Sequence, residues 1–130
     1  MHVGITGDRE IVVTKAMLAS SAGSGLVDVF ATPIMIAEIE GTAAASVASF
    51  LENGSVTVGT QVDVAHVGAT AEGKKVRIHT ELIAISENGR FLTFKTEVSD
   101  DVEMVGTGTH TRAIINKARF MEKLAAKYAR

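Results

Sequence analysis

A long helix that is apolar around its whole circumference is followed in this chain by four consecutive strand patterns, two of them joined by a hairpin signal. These observations predict an α+β protein in which a curved antiparallel sheet wraps around a long central helix. At 130 residues the chain suits a single domain, 1–130. Hydrophobic residues make up 46% and charged residues 22%, the balance of a globular core and not of a disordered chain.

Residues 1–9 hold two glycines and no periodic apolar pattern, so they read as loose. Glu10-Ile11-Val12-Val13-Thr14 is a β-branched run with the character of a strand. Ser20 to Gly25, rich in serine and glycine, reads as a flexible loop. Thr32-Pro33 then signals a helix start, with a hydroxyl to cap and proline in the first turn. From Ile34 to Leu51 apolar side chains and alanines cover nearly every side, and Asn53-Gly54 ends the helix. Such a helix is buried on all sides. One curved sheet leaves part of it bare, which predicts a second copy of the chain over the uncovered face: a homodimer, or two such dimers as a tetramer.

Past Gly54 the pattern changes to period two. Ser55–Val64 and Lys75–Ile85 read as strands, and Asn88-Gly89 as a type I′ turn with positive φ at both central residues. Phe91–Val98 alternates cleanly, Ser99–Asp101 reads as a turn, and Glu103–Ile115 as the last strand. Residues 117–130 form a C-terminal amphipathic helix, with Met121, Leu124 and Tyr128 at helical spacing among basic residues.

Several classes of function are excluded or disfavoured. There is no cysteine, so thiolate metal sites, disulfides and cysteine nucleophiles are ruled out. A net charge of −2 and a pI near 6.1 argue against nucleic-acid binding. The first residues carry neither a basic nor an apolar signal region and no stretch is long enough to span a bilayer, so the expected setting is cytoplasmic, away from the membrane. His2, His66, His79 and His110 lack metal-ligand spacing, and no metal or other cofactor is expected. Gly106-Thr107-Gly108 sits inside a strand with no helix opening after it, which is not a dinucleotide fingerprint.

Three motifs carry the chemistry: Ala31-Thr32-Pro33-Ile34-Met35 with Glu40 in the helix; Val58-Gly59-Thr60-Gln61-Val62-Asp63-Val64-Ala65-His66; and Gly106-Thr107-Gly108-Thr109-His110-Thr111-Arg112. From about Phe30 to about Phe120 the chain resembles the hotdog-fold acyl-CoA thioesterases related to fluoroacetyl-CoA thioesterase. The resemblance implies hydrolysis of small or short-chain acyl-CoA thioesters to the free acid and CoA. It implies catalytic roles for Thr32, Glu40 and His66, and a place at the substrate for Gly59 and Arg112. The segment before Thr32 is glycine- and serine-rich, where the fluoroacetyl enzyme carries phenylalanines over its site, so selectivity for a fluorinated acyl group is not carried over.

On their own chemistry these residues read as follows. Glu40 lies inside an apolar helix, where an unpaired carboxylate is costly and its pKa should rise, as suits an acid or base near neutrality. The bland alternative is a solvent-facing or salt-bridged stripe with Glu38, but two positions apart means about 200° around the helix. His66 stands just past a strand end and is either a proton carrier or a loop-edge histidine. Thr32 is a cap first, and a nucleophile only with a base beside it. Thr32 and Glu40 are about 12 Å apart along a helix, so for a site using both either the Thr32 end folds back, or two subunits contribute, or His66 stands between them; the subunit interface is the preferred reading. The helix N-terminus offers N–H groups for an oxyanion. Gly59 allows close approach of a ligand or is a plain bulge.

Arg112, sharing strand parity with His110, Gly106 and Gly108, suits phosphate recognition or is an exposed strand arginine. Lys117, Arg119 and Lys123 either meet CoA phosphates or form a solvated face. Two rival functions remain: a non-catalytic module binding acyl-CoA or another small ligand, and hydratase chemistry, for which the expected histidine–acid pair on the helix is missing.

Overall fold

The computed structural model describes residues 1–129. The elements are β1 (Thr6–Val12), α1 (Ala19–Ala22), α2 (Thr32–Val47), β2 (Ser55–His66), β3 (Lys75–Ile85), β4 (Phe91–Asp100), β5 (Met104–Asn116) and α3 (Lys117–Tyr128). Single 3₁₀ turns lie at Lys15–Met17 and Ala48–Phe50. The strands form one five-stranded antiparallel sheet in the order β1-β3-β4-β5-β2. β3, β4 and β5 are neighbours in sequence and in space. The helix carries the chain across the sheet between β1 and β2, so those two strands take opposite edges.

The period-two patterns decide what faces α2. Val76, Ile78, Thr80 and Leu82 on β3, and Leu92, Phe94, Thr96 and Val98 on β4, are all buried. From the helix, Met35, Ile39, Thr42, Ala43 and Val47 point back at them. Two apolar clusters result. One gathers Val13, Leu18, Phe30, Met35 and Ile39 with strand residues at the start of the helix, and the other gathers Ala43, Val47, Leu82, Leu92 and Phe94 near its end. Between them runs a belt of small and hydroxyl residues, with Gly7 opposite Thr80, and Thr80 opposite Thr96. At Gly7 helix and sheet approach closely: a Cβ there would lie 2.8 Å from Ser46 Cβ and 3.0 Å from the Thr42 carbonyl. At Gly106 the missing side chain leaves room for Met35, whose sulfur would be 2.7 Å from a Cβ.

Burial of α2 on all sides is not met within one chain. Ala37, Ala45 and Ala48 are exposed, and β2 presents an open edge with Val56 and Val62 exposed. The chain exposes 7685 Å², against roughly 6,600 Å² for a monomer of this mass.

Other boundaries also differ from expectation. Residues 6–9 are not loose, because they pair with β3 as the first half of β1. The Ser20–Gly25 loop contains one turn of helix closed by Gly23 at φ +73°. The α-helix ends at Val47, and a 3₁₀ turn completes the segment to Phe50. Only Gly89 has positive φ in the hairpin, so the turn is not type I′. Gly89 N–H instead donates to the Ser86 carbonyl at 2.8 Å in a longer loop. Ser99 and Asp100 belong to β4, and His66 to β2. α3 buries no side chain in this chain, and Arg130, placed in that helix by the sequence, lies outside the described residues. No helix among the described residues is long and apolar enough to cross a membrane.

Candidate active site

Thr32 opens α2, yet it is not the cap. Ala31 holds that position in extended conformation and offers no side-chain bond, while Thr32 and Pro33 form the first turn. The hydroxyl is free for other work, and Thr32 Oγ1 lies 2.7 Å from His66 Nδ1. The final residue of β2 is thus delivered to the first residue of α2. A hydroxyl that donates to Nδ1 leaves the imidazole proton on Nε2, which is buried and makes no well-formed hydrogen bond among the described residues. Burial holds His66 below its ordinary pKa, partly offset by the Gly68 backbone. The ring is therefore neutral, the form that accepts a proton. Phe30, fully buried, sets its ring edge-on to the imidazole at 6.4 Å.

The pair opens onto a cleft of about 340 Å³ lined by Ala19, Ser24, Phe30, Thr32, His66 and Ala69 among others. Apart from Phe30 and His66 its lining is mostly small residues, with Val29 and Val67 the larger exceptions, so it suits a compact group. Of the N–H groups at the helix start, Ile34 and Met35 both donate to the Ala31 carbonyl and Pro33 has none. The expected oxyanion donors therefore reduce to the Thr32 N–H.

Glu40 lies elsewhere in the chain. Two turns further along α2 it reaches over β2 at Gly59, where a Cβ would come within 2.7 Å of its Oε2. The Gly59/Gln61 bulge in the β2–β5 pairing sits at this point. The carboxylate is not starved of solvent within one chain: its side chain is 40% exposed, and it faces Arg112 NH1 at 3.6 Å. Glu38 pairs with Arg9 at 3.0 Å on the opposite side of the helix, so the shared acidic stripe does not exist.

Arg112 is 7% exposed, which excludes the exposed strand arginine and leaves little of it for a phosphate. Nε donates to Thr57 Oγ1 at 2.8 Å and NH2 to the Thr57 carbonyl at 2.9 Å. NH1 lies 3.1 Å from His110 Nε2. Burial lowers the Arg112 pKa, and Glu40 offsets part of that. In the sequence His110 is given no role of its own beyond its place in the third motif and its parity with Arg112, and that parity is what carries both side chains to the same spot.

The chain therefore brings the expected residues together in two separate clusters, Thr32 with His66 and Glu40 with Gly59, His110 and Arg112. Arg119 and Lys123 join Arg90 and Phe120 around a separate cleft of about 240 Å³ at the start of α3.

Residues 13–118 match the sequence profile of fluoroacetyl-CoA-specific thioesterases. The chain is 35% identical over 100 residues to a fluoroacetyl-CoA thioesterase of Streptantibioticus cattleyicolor, covering 77% of this chain and 70% of that one. A solved fluoroacetyl-CoA thioesterase superimposes with a TM-score of 0.91 at 30% identity, over 98% of this chain and 97% of the other. A hot-dog-like protein of Thermanaerovibrio acidaminovorans shares the fold at 16% identity, with a TM-score of 0.89 over 98% and 93% of the two chains.

Proposed function

Because this chain belongs to the fluoroacetyl-CoA-specific thioesterase family, and is on that ground a thioester hydrolase, we propose that it cleaves small acyl-CoA thioesters to the free acid and CoA. The observation that carries this reading is the 2.7 Å contact between Thr32 and a neutral His66 at the mouth of a small-walled cleft. Nδ1 takes the proton as the Thr32 oxygen, or a water held by it, attacks the thioester carbonyl. The imidazolium then returns that proton to the departing CoA sulfur. If Thr32 attacks, its acyl ester is cleaved in turn by water. A module that only binds CoA esters has no use for this pair, which favours the hydrolase over the binding alternative.

Glu40 completes the site from a second copy. Eight helical positions, about 12 Å, separate it from Thr32 in its own chain. The bare alanine face of α2, the open β2 edge and the surplus of exposed surface all favour a two-fold partner. Antiparallel pairing of two β2 edges would carry one copy's His66 toward the other's Gly59. The buried His66 Nε2 then finds its acceptor across the interface. At the far end of the substrate, Arg90, Arg119 and Lys123 suit the CoA phosphates. Such a substrate suits a cytoplasmic setting.

The test is CoA release from acyl-CoA esters of graded acyl size. Small esters should be cleaved, and Thr32→Ala, His66→Ala and Glu40→Ala should each abolish turnover. Mixing Thr32→Ala with Glu40→Ala subunits should restore about a quarter of wild-type activity, since one site in each mixed dimer is intact. Full activity in the His66 and Glu40 variants would remove the mechanism, and absence of rescue would place the site within one chain.

A further inference from the structure

We propose that His110 is a positioning residue for Glu40: its neutral ring holds the Arg112 guanidinium beside the carboxylate without letting it close. The inference rests on the thioester hydrolysis proposed above and adds a residue to it.

The chain of contacts begins at the β2 bulge. His110 Nδ1 lies 2.8 Å from the Gln61 carbonyl, which can only accept, so Nδ1 carries the proton. Nε2 is then a lone pair, and Arg112 NH1 donates to it at 3.1 Å. The other two guanidinium nitrogens are held by Thr57. All three nitrogens of Arg112 are thus fixed from behind, and NH1 stops 3.6 Å from Glu40 Oε2. That separation is attractive but too long for a good hydrogen bond. A guanidinium released from these tethers would swing into the short, two-pronged pairing that arginine and carboxylate prefer. Glu40 would then be occupied, and a poorer hydrogen-bond acceptor for the imidazole it is proposed to meet.

The surroundings keep the ring in its working state. His110 is 1% exposed and stacks on Phe94, and burial, reinforced by the Arg112 charge, lowers its pKa despite the opposing pull of Gln61 and Glu40. A protonated ring would offer Arg112 a proton in place of a lone pair.

Three substitutions test this with acetyl-CoA as the probe. His110→Phe keeps the ring and its stacking but has no lone pair. It should lower kcat by about tenfold or more, with KM within about twofold. His110→Gln supplies both a donor for Gln61 and an acceptor for Arg112, and should recover kcat to within about threefold of wild type. A role limited to packing predicts the reverse order, phenylalanine tolerated and glutamine not. Should the phenylalanine variant fail to fold, Thr57→Val removes the tether on Nε, leaving only the backbone carbonyl on NH2, and should also lower kcat at constant KM. Wild-type kcat in His110→Phe or Thr57→Val, glutamine no better than phenylalanine, or a rise in KM alone would overturn the proposal. A wild-type protein that hydrolyses no thioester defeats the functional reading itself, an outcome distinct from any of these.

Discussion

Replacing Gly59 by alanine probes the Glu40 cluster with the smallest possible change. The new Cβ would sit 2.7 Å from Glu40 Oε2 and 3.2 Å from His110 Cε1, where ordinary contact starts near 3.4 Å. The carboxylate must therefore retreat by about 0.7 Å, and the imidazole by a few tenths of an ångström. For the fold this is cheap. Gly59 is not among the positive-φ glycines, so alanine fits the strand backbone, and it restricts the unfolded chain by about 0.4–1 kcal/mol. Bending the tip of a glutamate uses up a similar amount, which leaves stability within about 1 kcal/mol of wild type. For catalysis the same retreat is serious, because a misplacement approaching 1 Å lowers rates up to about 100-fold. The expected result is a loss of about 10- to 100-fold in kcat with an almost unchanged unfolding midpoint, read from steady-state CoA release and thermal denaturation of the same preparation. A folded Gly59→Ala protein with wild-type kcat would refute the placement of Glu40 against this strand as the working arrangement.

Three further outcomes are expected. His66 and His110 both have pKa values lowered from 6.5, so below about pH 6.5 the unfolded chain takes up protons that the native one refuses. Stability is therefore complete above that pH and lost as pH falls through the two native values. Urea denaturation between about pH 5 and 8 should show it, and a flat profile would contradict it. Thr80 Oγ1 is buried with no partner among the described residues; Thr80→Val should raise stability by about 1 kcal/mol, seen as a higher Tm, whereas a lower Tm would mean the hydroxyl is satisfied after all. Neutralising Arg90, Arg119 and Lys123 together should raise KM for acyl-CoA about tenfold at low salt, leave kcat alone, and spare a truncated thioester without the nucleotide; equal effects on both substrates would rule out a phosphate role.

Much of the architecture was legible because it follows from periodicity. The all-round apolar run at Ile34–Leu51, the alternation at Phe91–Val98 and the three motifs carried the fold and the family likeness. What escaped was set by contacts between distant segments. Gly7-Asp8-Arg9 has no strand character of its own, and is held as one by pairing with β3 and by the close approach of α2 at Gly7. Thr32 looked like a cap because a hydroxyl before proline usually is one, and only the arrival of His66 gives that hydroxyl another partner. Glu40 looked unpaired because its cation comes from the far end of the chain, on a strand where Arg112 passed equally well for a surface residue. His110 has a strong role in geometry and a weak one in sequence, since its bonds run to a backbone carbonyl and to another side chain.

The small residues that wall the Thr32–His66 cleft have an evolutionary consequence. Ala19, Ser24 and Ala69 line the space where an acyl group would rest, yet none belongs to either apolar cluster that holds the sheet to its helix. Their size can drift without loosening the protein, so appetite for one acid over another is free to change while the scaffold beneath keeps its melting point. Exchanges at these three positions need no compensating repair in the interior.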